Sequence, residues 1–183
     1  MDTTNLRFLD KSARPPRSFS HSPIDPPTAD SWLTIAEVFR RLTPLVGQTF
    51  EDTGSDQERS RGSELHRRVC NHLGYARYED DGQFPDVKNQ LLEVKMQTSP
   101  TIDLGLVSPN STKPLEGYSV QGRLIRECDV RYVIFFGTND EEIVSLTHLF
   151  LTTGEAFFTR FPQFQGRVLN TKRQIPLPDT FFG

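Results

Sequence analysis

With only two cysteines in 183 residues, Cys70 and Cys128, the chain cannot carry a disulfide framework, and they show no CxxC spacing. No run is long and apolar enough to span a membrane. The opening residues, "MDTTNLRFLDKSARPPRSFS", hold no continuous hydrophobic segment, so no secretory signal is expected and a reducing cytoplasm is the expected home. The net charge is -3, which excludes a generic polycation but not a local basic patch. Neither GxGxxG nor GxxxxGK[ST] occurs, which argues against a nucleotide-driven mechanism, and there is no GxSxG nucleophile elbow. His66 and His72 are six residues apart and do not share a helix face as paired zinc ligands would. His148 is isolated and reads as structural.

The length fits one domain with a tail, and the 14 phenylalanines provide for a substantial core. Residues 1–28 contain five prolines and read as a flexible Pro/Ser-rich arm, leaving 29–183 as a single domain. "TADSWLTIAEVFRRLTP" predicts a helix capped at Thr28 or Asp30 and stopped at Pro44, with Trp32 in the core. A second helix is predicted from the capping box "SDQE", Ser55 to Glu58, through the stripe Leu65, Val69 and Leu73, to a stop at Gly74. Gly62 inside that helix serves either a small-residue packing contact or the close approach of another backbone such as a phosphate chain. Next come two strands, "QFPDV" and "QLLEVKMQ", turning at Lys88–Asn89–Gln90, and a long polar loop over 98–119. Residues 119–128 are expected as a short helix and "VRYVIFFG" as a buried strand. "EIVSLTHLF" is expected as a strand running into a helix start, and "TGEAFFTRF" as a short helix. This order predicts an α/β fold, a central mixed β-sheet flanked by helices.

The chemistry concentrates in "FPDVKNQLLEVKMQ". Alternation along a strand puts Leu92, Val94 and Met96 on one face and Glu93, Lys95 and Gln97 on the other. Across the turn, Asp86 falls beside Glu93. Two adjacent carboxylates repel unless a cation lies between them, and an oxygen-only pair suits Mg²⁺, which keeps waters and accepts phosphate oxygens. Lys95 could orient an attacking water or steady charge on phosphorus, which is equipment for metal-assisted phosphodiester hydrolysis.

The spacing of Pro85–Asp86, six residues, then Glu93–Val94–Lys95 resembles the signature of the PD-(D/E)xK nuclease superfamily, which includes type II restriction endonucleases. The resemblance covers about Ser55 to Tyr118. It implies a restriction-endonuclease-like core of four mixed strands, a hairpin bearing the acids, and an upstream helix that contributes a glutamate. It assigns Asp86 and Glu93 to metal and Lys95 to the attacking water, and Gln97 is similar to a glutamine that some members place near the site. Glu64 fits the upstream glutamate, and equally an ion pair with Arg67 and Arg68 on one helix surface.

Arg59, Arg61, Arg67, Arg68 and Arg77 against Glu58 and Glu64 make 57–77 locally basic. Arg160, Arg167, Lys172 and Arg173 do the same for 156–174. Candidate DNA contacts are Arg59, Arg61 and Arg67, with Ser99, Thr101, Asp103, Asn110 and Lys113 on the long loop. Asp103 could accept from a cytosine amino group or close a turn. The expected function is that of a homodimeric, Mg²⁺-dependent restriction-type endonuclease acting on double-stranded DNA. A repair or junction-resolving nuclease and a non-catalytic DNA-binding module are the alternatives.

Overall fold

The computed structural model describes residues 1–10, 17–51, 57–99, 101–140, 143–161 and 174–176, with the side chains of 57–59 and 174–176 outside that description. Strands are β1 (Thr49–Glu51), β2 (Leu92–Gln97), β3 (Thr101–Asp103), β4 (Pro114–Val120), β5 (Arg123–Arg126), β6 (Arg131–Asp140), β7 (Ile143–Thr153) and β8 (Gln174–Pro176). The helices are α1 (Ile35–Leu42), α2 (Gln57–Leu73) and the single turn α3 (Phe157–Arg160). One mixed sheet runs β1-β7-β6-β2. Its centre is an antiparallel β6–β7 pair, and β2 lies parallel to β6 at the edge, Glu93 beside Tyr132 and Lys95 beside Ile134. Two further strand pairs, β3–β8 and β4–β5, stand apart from it.

The sheet is buried on both faces, for a reason visible in "RYVIFFG". Residues 131–136 are all buried, so neither face of β6 is left to water. Val133 and Phe135 join Leu92, Val144 and Leu146 against Val38 and Leu42 of α1 and Leu65, Val69 and Leu73 of α2. Tyr132, Ile134 and Phe136 face the opposite cluster, with Leu6, Leu9, Trp32, Ile125 and Phe157. Helices therefore cover only one face at length. The other is covered by the chain's first residues, the β4–β5 hairpin and the one turn of α3.

Several expectations change accordingly. The flexible arm expected at 1–28 is packed where it is described: Leu6 is fully buried and Leu9 2% exposed. Polar anchors hold it, since Asp129 accepts from Thr3 Oγ1 at 2.7 Å and Asn5 Nδ2 at 2.8 Å. Residues 119–128 form a hairpin turn and strand instead of a helix, because Gln121 and Gly122 both adopt positive φ and reverse the chain. The strand of "EIVSLTHLF" continues to Thr153 without becoming a helix. Helix α1 is capped by Thr34, whose side chain accepts from Glu37 N at 3.2 Å, and not by Thr28 or Asp30. Gly74 ends α2 as expected, at φ 107°. The capping residue Ser55 lies outside the described residues.

At the start of β6, Arg131 is fully buried. Its Nε donates to Asp2 Oδ1 at 2.6 Å and its Nη1 to the Leu33 carbonyl at 2.8 Å, and its guanidinium lies 3.6 Å from the Trp32 ring centroid. Asp2 also accepts from Ile35 N at 3.1 Å. Removing one partner of a buried ion pair strands the other charge, so Asp2→Ala is expected to cost about 3–5 kcal/mol. The double change Asp2→Ala with Arg131→Met is expected to cost less than the single one. Chemical unfolding of the three proteins measures both, and a single-variant loss below about 1 kcal/mol would contradict this account.

Candidate functional site

Residues 84–97 do not form the expected full hairpin. Val87 and Leu92 make a single antiparallel bridge around a buried turn at Lys88–Gln90. The turn is fixed by its own side chains. Gln90 accepts from Leu33 N at 3.0 Å and donates to the Ser31 carbonyl at 2.7 Å. Asn89 accepts from Tyr75 Oη at 2.8 Å and donates to the Pro26 carbonyl at 3.0 Å. Lys88 pairs with Asp81. The turn thus binds residues 23–33 and 75–83 to the start of β2.

This scaffold brings Asp86 against the acid-bearing strand. Asp86 Oδ2 accepts from Val94 N at 2.7 Å, and Asp86 N donates to Glu93 Oε2 at 3.3 Å. Lys95 Nζ sits 2.7 Å from Glu93 Oε1. Asp86, Glu93 and Lys95 therefore form one connected group at the sheet's edge. Taking Val94 N also satisfies an amide on the open side of an edge strand. The second oxygen of Asp86 has no hydrogen-bond partner among the described residues.

Charge is crowded here. Burial pushes the Asp86 carboxyl up to about 7, and the negative Glu93 and Asp80 add to the rise against the opposing Val94 amide and Lys95. Burial alone would lower Lys95, but Glu93, Asp86 and Asp103 outweigh it and hold its pKa above the ordinary lysine value. Tyr132, the register neighbour of Glu93, has a buried hydroxyl with no hydrogen-bond partner among the described residues. Burial and the Glu93 charge raise that phenol's pKa. Its ring packs against Phe84 and Phe157, forming an apolar floor.

A cavity of about 560 Å³ opens beside Lys95, the member of the group on its wall, and is lined further by Gln97, Ser99, Thr101, Asp103 and Arg61 together with Gly62. Gln97 is nearly buried, and its amide donates to the Ser99 carbonyl at 2.8 Å and Ser99 Oγ at 2.6 Å, which holds the strand's exit into the lining. Asp103 Oδ1 accepts from Gly105 N at 2.9 Å, the turn-closing role.

Other predicted residues stand elsewhere. Glu64 accepts from Arg67 and Arg68 at 2.6–2.8 Å, and no hydrogen bond among the described residues joins it to Asp86. It borders a separate cavity of about 350 Å³ with Arg67, His66 and Asp80. Asn110 accepts from Ser108 Oγ, and the Lys113 carbonyl accepts from Glu127 N, near β5 and not in the Lys95 cavity. The side chain of Arg59 lies outside the described residues, as do Arg167, Lys172 and Arg173. Sequence reasoning overlooked Tyr132 and Asp80. Tyr132 was legible only as a core aromatic, since its place beside Glu93 depends on the parallel register.

Among the described residues no group of three His, Cys, Asp or Glu side chains is arranged to hold a metal. No family model, no curated protein and no solved structure matches the chain.

The raised Asp86 pKa sets the sign of a pH effect. Between the ordinary 3.8 and about 7 the folded chain holds more protons than the unfolded one, so ionising Asp86 destabilises the fold as pH rises through that window. Asp86→Asn, which can still accept from Val94 N, is expected to raise stability at pH 8 and leave it nearly unchanged at pH 3. Denaturant midpoints at the two pH values test this, and an equal gain at both would refute the assignment.

Proposed function

We propose that this chain is a Mg²⁺-dependent endonuclease of type II restriction character, built on a restriction-endonuclease-like core and hydrolysing double-stranded DNA as a homodimer. The observation that carries the reading is the connected group Asp86–Glu93–Lys95, in the order and spacing of the PD-(D/E)xK signature, with Lys95 on the wall of a polar cavity. The four-stranded mixed sheet, with α2 packed near its acid-bearing strand, supports the same family of folds.

The donor set fits the cation. Asp86 and Glu93 supply oxygens only, Asp86 has an oxygen to spare, and burial first, then the Glu93 charge, raises the Asp86 pKa, a penalty that a bound cation would relieve. A hard cation that accepts one or two carboxylates and keeps its waters matches this better than one needing a closed protein cage. Bound there, Mg²⁺ would supply charge neutralisation at the scissile phosphate and a more acidic water. Lys95 is held charged by Glu93 and can donate to the attacking water or to a phosphate oxygen. Tyr132, buried beside Glu93 and packed on Phe84 and Phe157, makes that side of the strand apolar, which would strengthen electrostatic interaction at Glu93. In the cavity, Ser99, Thr101 and Asp103 offer hydroxyl and carboxylate groups to base edges, and Arg61 offers charge to phosphates. Two copies related by a two-fold axis would address both strands of a palindromic site.

Supercoiled plasmid incubated with Mg²⁺ is expected to give discrete fragments that disappear with EDTA. Lys95→Ala is expected to slow cleavage by about 10²-fold or more with unchanged circular dichroism. Glu64→Gln is expected to change stability by less than about 1 kcal/mol, as a part-exposed pair should. Cleavage confined to branched junctions would instead identify a resolvase. Binding without cutting under every divalent cation would remove the enzymatic reading.

A further inference from the structure

Gly62 is an exposed glycine inside α2, away from any turn. Its φ lies outside the positive range, so the backbone does not require glycine there. A Cβ built on it meets no atom within 4 Å among the described residues outside its own turn of helix, so none of them requires glycine there by packing. A helix-interior glycine nevertheless weakens the helix relative to alanine. Among the described residues, then, neither backbone conformation nor packing accounts for the glycine. What distinguishes its position is the cavity: Gly62 lines it, with Arg61 next in sequence and Lys95 also on its wall.

We infer that Gly62 keeps this stretch of α2 bare so that the sugar–phosphate backbone of bound duplex DNA can pass directly against the helix, next to Lys95. The inference rests on the nuclease reading and adds to it a positioning residue and the part of the substrate it admits. Phosphate and deoxyribose fit the site's chemistry. The wall carries two cations, Arg61 and Lys95, and the hydroxyls of Ser99 and Thr101, while the missing side chain provides the clearance that a bulky, continuous backbone needs. A methyl group at position 62 would project into that path while leaving the folded protein undisturbed.

Stability and binding should then move in opposite directions. Gly62→Ala is expected to raise the melting temperature by about 2–4 °C through helix propensity alone. It should also weaken duplex affinity by about tenfold, the effect of one added methyl in a close contact, with Gly62→Leu weaker still. Ser63→Ala, on the neighbouring exposed position, serves as the control and should bind as the parent does. Affinity is read by fluorescence anisotropy of a labelled duplex in Ca²⁺, to separate binding from turnover, and cleavage is read on plasmid in Mg²⁺. Parent-like affinity and cleavage in both Gly62 variants, with the parent protein active, overturn the inference and leave the nuclease reading standing. A parent chain that neither binds duplex nor cleaves it overturns both. A thermally stabilised Gly62→Ala that has lost affinity supports the inference, because a merely structural glycine cannot give that pairing.

Discussion

The buried guanidinium of Arg131 is the constraint on which the rest of the chain is arranged. An arginine without access to water is tolerable only if its charge and donors are answered, and here Asp2, the Leu33 carbonyl and the Trp32 ring answer most of them. Burial still works against its charge, and one Nη2 group has no hydrogen-bond partner among the described residues. The same residue begins β6, and its backbone N donates to the Leu91 carbonyl at 2.7 Å. One position therefore pins the first residues of the chain to the core and also starts the parallel register of β2 on β6.

That register decides what the candidate site contains. With Leu92 opposite Arg131, Glu93 falls beside Tyr132 and Lys95 beside Ile134. A slip of one residue would turn both charged groups into the α1/α2 core and send Val94 to the other face. The turn before β2 fixes the remaining member: Asn89 and Gln90 spend their amides on residues 26–33 and 75, and Asp86 is left facing Val94 and Glu93. Two buried amides and one buried arginine thus place three functional candidates that touch neither.

Much of the candidate site was legible in the chain. Alternation alone separated Leu92, Val94 and Met96 from Glu93, Lys95 and Gln97, because a strand has a period of two whatever surrounds it. The strand "RYVIFFG" and the stop at Gly74 were equally readable, since β-branched and aromatic runs and positive-φ glycines act locally. Residues 119–128 were not. "SVQGRLIREC" has helical spacing, but Gln121 takes a left-handed conformation that its composition does not announce. The packing of Leu6 and Leu9 was not legible for a related reason: five prolines in 1–28 speak against regular structure, not against packing, and their core includes Ile125, Tyr132 and Phe157, more than a hundred positions away.

Local periodicity and spacing were enough to set the α/β character, the central strand, and the order of an acid, six residues, a second acid and a lysine. It took the folded chain to put Tyr132 beside Glu93, to bring Lys95 and Gly62 to one cavity, and to pack Leu6 and Leu9 on the sheet. Those outcomes depend on which distant residues satisfy the buried charges and amides, and contacts between distant residues leave no period in the chain.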